Sequence, residues 1–153
     1  MEVRDLELGP PRRWNEELGG IKWLPRLIDK TRAARAGTLG GYLYGQSPVD
    51  RSLLRALGLG YRAFTKIVGN ALTDDDVFRE LHAHSPDGIE RARAWSATVP
   101  RRWRWFMFVL DVDDGYLDQW YWKALRGPTT FSANLVSAGV KRLWPSRGTE
   151  RES

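Results

Sequence analysis

The chain has 153 residues, a formal net charge of +5, an isoelectric point near 9.8, eight tryptophans and no cysteine. That length suits one domain with its own core, and the missing thiols exclude disulfide frameworks, thiolate nucleophiles and cysteine-built zinc sites. An acidic, proline-bearing start and the lack of any uncharged run near the roughly 18 residues of a membrane span lead us to expect a cytoplasmic protein with no membrane partner.

Residues 1–20 read as an irregular lead-in, because "GPP" and "LGG" break any periodic pattern. An α-rich domain is expected over 21–144. In "WLPRLIDKTRAARAG", Pro25 suits a first helical turn, Leu24, Leu27, Ile28 and Thr31 share one face, and Gly37 suits the C-terminal cap. "SPVDRSLLRALG" places Ser47 as N-cap, Pro48 in the first turn and Leu53, Leu54 and Leu57 on a buried stripe. "GYRAFTKIVGNA" repeats that spacing at Phe64, Ile67 and Val68. "TDDDVFRELHAH" opens on Thr73 as a cap, with carboxylates where the helix dipole favours them, and "SPDGIERARAWSATV" runs from Ser85 to about Val99.

The stretch "RRWRWFMFVLDVDDGYLDQWYWKALRG" fits two structures. With "DVDDG" as the turn it is a β-hairpin over 102–123, and with Pro100 in a first turn it is a pair of helices; its aromatic and branched composition favours the hairpin. "TTFSANLVSAGVKRLW" reads as a last helix and 145–153 as a flexible tail. The expected fold is mainly α, a compact bundle of several helices, with that one hairpin as its only β element.

Motif spacing removes several chemistries. Counted from Asp111, glycine falls fifth and Trp122 twelfth, so the acids Asp111, Asp113 and Asp114 do not make an EF-hand. His82 and His84, two apart, point to different faces of a helix, unlike a helical zinc pair. "GLGYRA" has the spacing of a dinucleotide fingerprint but follows a helical leucine stripe rather than a strand, so Gly58 and Gly60 read as helix ends. No metal and no cofactor are expected.

The tryptophans exceed what a small core absorbs easily, and surplus indoles commonly line a groove. An aromatic wall is therefore expected from Tyr42, Tyr44, Trp95, Trp103, Trp105, Trp120 and Trp122. Interleaved Arg and Trp in "RRWRW" could instead stack bases and contact phosphates. Against that stand the apolar "FMFVL" that follows and the scatter of the basic residues, of which 19 of 24 are arginine.

The segment "GGIKWLPRLIDKTRAARAGTLGGYLYGQSPVDRSLLRALGLGYRAF" resembles the bacterial domain-of-unknown-function family 5069. The resemblance rests on Leu24, Arg26, Ile28, Asp29, Lys30, Arg32 and Ala33, then Gly37, Leu39, a tyrosine at Tyr42 or Tyr44, Pro48 with Asp50, Gly58 and Phe64. It is clearest over 18–82, with looser likeness in "TDDDVFREL" and "LDVDDG". It implies a small, mostly helical cytoplasmic protein and assigns no active residues.

Within that segment Arg26 and Lys30 lie four apart on one face, with Asp29 beside them and a tyrosine loop following. On a surface such a trio is an ion pair of little energetic worth. Turned inward, it could bind an anionic or carbonyl substrate. The functional expectation is a small-molecule-binding protein or a cofactor-independent acid/base enzyme, of dehydratase or isomerase type, for an aromatic or polycyclic compound. Asp29 or Asp113 would be the acid or base, with Arg26 or Lys30 steadying negative charge. The rivals are a module that binds nucleic acid or an acidic protein, and a homodimer that buries the surplus rings.

Overall fold

The computed structural model describes residues 3–117. Within them lie a short hairpin, β1 (Glu17–Leu18) and β2 (Ile21–Lys22), and six helices: α1 (Leu24–Ala36), α2 (Pro48–Leu57), α3 (Tyr61–Asn70), α4 (Asp74–His84), α5 (Pro86–Arg102) and α6 (Arg104–Asp113). The fold is mainly α, and helix ends fall where local chemistry puts them. Ser47 caps α2, Thr73 and Asp76 close a reciprocal capping box on α4, and Ser85 caps α5. Gly37 and Gly58 end α1 and α2 in the left-handed region.

Helix α1 is central. Its Leu24, Leu27 and Ile28 join Leu53 and Leu57 of α2, Phe64 and Val68 of α3, Val77 and Leu81 of α4, and Ile89, Ala92 and Val99 of α5 in one buried cluster. Helices α2 and α5 run antiparallel: Trp95 Nε1 donates to Ser52 Oγ at 2.8 Å, and Arg91 Nε donates to the Ala56 carbonyl at 3.1 Å. The hairpin pairs Glu17 with Lys22 and Leu18 with Ile21, and its Lys22 N–H donates to Ser96 Oγ of α5 at 2.7 Å.

Two expectations are corrected. The lead-in contains β1, because "LGG" is a hairpin turn: Gly19 and Gly20 have φ of 58° and 79°, the pair of positive angles that a two-residue turn matching strand twist requires. The hairpin expected over 102–123 is replaced, within the described residues, by the end of α5 and by α6. Met107, Asp111 and Asp114 are buried at helical spacing, and two carboxylates of the expected turn, Asp111 and Asp114, have arginine partners in Arg13 and Arg26. Helix α5 also continues past Val99, carrying Pro100 in its last turn. The helix expected in "TTFSANLVSAGVKRLW" and the tail at 145–153 lie outside the described residues.

Candidate functional site

At 100° per residue, α1 divides into two sides. One carries Leu24, Leu27, Ile28 and Thr31, the other carries Arg26, Asp29 and Lys30, and Arg32, four residues after Ile28, stands at the border between them. Both sides are buried, with Arg26 2%, Asp29 4%, Lys30 3% and Arg32 7% exposed. The charged side is covered by irregular chain: the segment ending at Trp14, the glycine-rich loop between α1 and α2, and the turn after α6. The surface ion pair is thus set aside in favour of the inward arrangement.

The Lys30 ammonium donates to both oxygens of Asp50, each at 2.6 Å, and to the Leu43 carbonyl at 3.3 Å. Asp50 Oδ1 also accepts from Trp23 Nε1 at 2.7 Å, and Oδ2 faces the Tyr61 hydroxyl at 3.5 Å. The Trp23 ring lies 5.4 Å from Lys30 Nζ and 5.4 Å from the Arg26 guanidinium. Burial lowers the Lys30 pKa, with Arg26 adding to the effect, against the pull of Asp50. Burial, then the neighbouring Asp50, raises the Tyr61 phenol.

Arg26 is held between the rings of Trp23 and Tyr42, the latter 5.6 Å away. Its Nη1 donates to Asp114 Oδ2 at 2.7 Å and to the Arg12 carbonyl at 3.2 Å. Tyr42 donates its hydroxyl to Asp114 Oδ1 at 2.9 Å, and its own pKa is raised by burial and by that carboxylate. Among the described residues, Arg26 Nε and Arg32 Nε and Nη2 are buried without a hydrogen-bond partner.

A strap, Pro11 to Trp14, ties the cover down. Arg12 grips both oxygens of Asp29 through its side chain, at 2.7 to 3.1 Å, and adds its backbone N–H at 2.8 Å. It also pairs with Asp74 of α4, which Arg32 reaches from α1 at 2.6 Å. Arg13 makes a two-pronged contact with Asp111 of α6, at 3.0 and 2.7 Å, and Trp14 Nε1 donates to the same carboxylate at 3.1 Å. The Tyr116 hydroxyl closes back onto the Pro11 carbonyl at 2.8 Å.

Trp23 connects strap and site. Its N–H donates to the Trp14 carbonyl at 3.0 Å, its indole binds Asp50, and it sits at φ 69°, the one positive φ at a non-glycine among the described residues. For a bulky side chain that backbone costs on the order of 1–3 kcal/mol, and such strain collects at functional sites.

The expected site residues fall in three places. Arg26, Asp29, Lys30 and Tyr42 come together, and Tyr44 joins them through Tyr61, whose ring it meets edge-on at 5.2 Å, while its hydroxyl bonds Thr65. Asp113 ends α6 close enough to Tyr42 to help raise that phenol. Trp95 lies between α2 and α5, Trp103 sits half-buried at the junction of α5 and α6, and Trp105 is 75% exposed. These three do not line the charged side of α1 with the tyrosines, and Trp120 and Trp122 lie outside the described residues.

Sequence reasoning missed Arg12, Trp23, Asp50, Tyr61 and Asp114 as members. Asp50 had a signal, since it stands among the residues that carry the family resemblance, whereas Arg12 sat in a segment dismissed as irregular. No group of acidic or histidine side chains among the described residues could hold a metal ion. A groove of about 480 Å³ lies between α3 and α4, lined by Lys66, Asn70, Leu72, Asp76 and Glu80, away from this cluster. No helix among the described residues is long and apolar enough to cross a membrane.

Fold and site together define a mainly α-helical protein whose central helix buries a charged side under irregular cover. The model of the family described as "Domain of unknown function (DUF5069)" matches residues 9–106, and the chain belongs to that family. No curated protein matches it. The matched span includes the Arg12–Asp29–Asp74–Arg32 network and the Lys30–Asp50 pair, while Asp111, Asp114 and Tyr116 follow it.

Proposed function

We propose that this protein binds a small anionic aromatic or polycyclic compound at the charged side of α1 and acts on it by acid/base chemistry, without a metal or nucleotide cofactor. The observation that carries the proposal is the burial of Arg26, Asp29, Lys30 and Arg32 together. Desolvating such charges costs several kcal/mol per ion, and well-packed apolar residues would hold a helix in place at least as well. A binding role accounts for their retention where stability alone does not require it.

In this scheme the ligand enters beneath the loop between α1 and α2, where Gly40 and Gly45 have φ of 60° and 84°. Its anionic group takes the place of Asp114 on Arg26, where Nε is a further donor, and its ring lies between Tyr42 and Tyr44 with Trp23 behind. Lys30, with its pKa lowered by burial, exchanges a proton with the substrate, and Asp50 and Tyr61 orient it. Asp29, both oxygens engaged by Arg12, holds the strap.

The test is a screen of aromatic and polycyclic carboxylates, phenols and ketones, read by tryptophan fluorescence and thermal shift. Saturable quenching with a rise in Tm is expected from at least one class, since Trp23 abuts both Arg26 and Lys30. Silence across the panel would sink the proposal.

A further inference from the structure

The corner between α5 and α6 is separate from the charged side of α1 and has a different character. Arg101 and Arg102 end α5, Arg104 and Trp105 open α6, and all four are exposed, with Trp105 at 75% and Phe106 at 37%. Among the described residues none of these three arginines makes an ion pair. The Trp105 ring stacks on Phe108, with centroids 5.6 Å apart and planes 28° apart, so it is held flat on one side. From Glu90 to Asp111 the chain has no acidic residue, and Asp111 and Asp114, at the far end of α6, turn inward to Arg13 and Arg26.

We infer that this corner is a binding surface for single-stranded nucleic acid, with Trp105 as the platform for a base and Arg101, Arg102 and Arg104 as phosphate contacts. An occupant of this surface must bring both flat apolar faces and negative charge, and a single strand carries the two in regular alternation. The chain's own "TTFSANLVSAGVKRLW" would bring apolar side chains but no acidic residue, and it adds Lys141 and Arg142 to an already basic surface. A duplex would shield its base faces from Trp105. The apolar run after "RRWRW" does not disqualify the surface, because Met107 and Val112 are buried while the arginines and Trp105 face outward.

The test uses the full chain and a fluorescein-labelled twenty-nucleotide oligothymidylate, titrated by anisotropy from about 50 to 200 mM salt. Binding at low salt that weakens steeply over that range is expected. Trp105→Ala should weaken it about fivefold or more while leaving Tm within a few degrees. A variant with Arg101, Arg102 and Arg104 changed to Ala should lower the log–log salt slope by roughly 2, at about 0.7 for each phosphate that is no longer neutralised. Absence of binding at low salt, a duplex bound as tightly as the single strand, or equal competition by polyglutamate would each overturn the inference. So would a large fall in Tm in Trp105→Ala with unchanged affinity, which would assign the ring to the chain's own interior, or a sedimenting dimer that Trp105→Ala dissociates.

Discussion

Lys30 places its Nζ 2.6 Å from each carboxylate oxygen of Asp50, and both side chains are withdrawn from solvent. Each charge is tolerable there only because of the other. Asp50→Ala would leave a buried ammonium and strand the Trp23 indole N–H as well, and breaking such a pair costs about 3–5 kcal/mol. In a chain of this size that is a drop in Tm on the order of 10 °C. Urea and thermal unfolding of the variant check it, and a loss below about 1 kcal/mol contradicts it.

The strap is expected to matter as much as a helix. Arg12→Met removes the grip on Asp29 and the link to Asp74 in one step, and should cost about 2–3 kcal/mol. Arg79, 77% exposed in its contact with Asp76, is the control: Arg79→Ala should cost less than about 0.5 kcal/mol. Chemical denaturation of the two variants side by side gives the comparison.

Stability should fall at both ends of the pH scale. Burial works to raise the Asp74 pKa, but Arg12 and Arg32 outweigh it and hold it below its ordinary 3.8. Its contribution is therefore present above 3.8 and lost as pH falls through the folded value. Tyr42, Tyr61 and Tyr116 are raised above 10.0, chiefly by burial, so their contribution is complete below pH 10 and lost as the unfolded phenols ionise above it. Lys30 has the opposite slope: its folded pKa lies below 10.5, so the unfolded chain holds more protons and stability rises with pH up to that value. Denaturant midpoints across pH should show a shallower alkaline limb in Tyr42→Phe and a lost rise below 10.5 in Lys30→Met.

Close backbone approach fixes Gly88. A Cβ there would lie 2.4 Å from the Leu57 carbonyl oxygen, where the start of α5 meets the end of α2. Gly88→Ala should destabilise by about 1–3 kcal/mol through displacement of one helix from the other. At Gly41 an added Cβ meets nothing within 4 Å, so Gly41→Ala should leave the denaturation midpoint nearly unchanged.

Much of this architecture is legible in the sequence, because local chemistry decides it. Ser47, Thr73 and Ser85 mark helix starts, Gly37 and Gly58 mark ends, and the Leu24, Leu27 and Ile28 stripe marks the core side of α1. What pattern could not reveal is pairing over long sequence separations. Asp111 and Asp114 look like turn residues until Arg13 and Arg26 are brought to them from the other end of the chain. For the same reason an aromatic, branched run read as a strand forms α6, whose inward face is set by those partners. Arg26, Asp29 and Lys30 were visible as a cluster on one helix, but Asp50, Trp23 and Arg12 join it only through the fold.

The most direct test of a ligand site on the charged side of α1 is to replace one charge cluster with apolar residues, in the triple variant Arg26→Met, Tyr42→Phe, Asp114→Leu. Calorimetric unfolding and ligand titration are then measured on it and on the wild type. If the charges serve binding, the variant is at least as stable as the wild type and no longer binds the aromatic ligand that quenches wild-type fluorescence. A variant that loses several kcal/mol of stability, or that binds the ligand unchanged, would contradict that role.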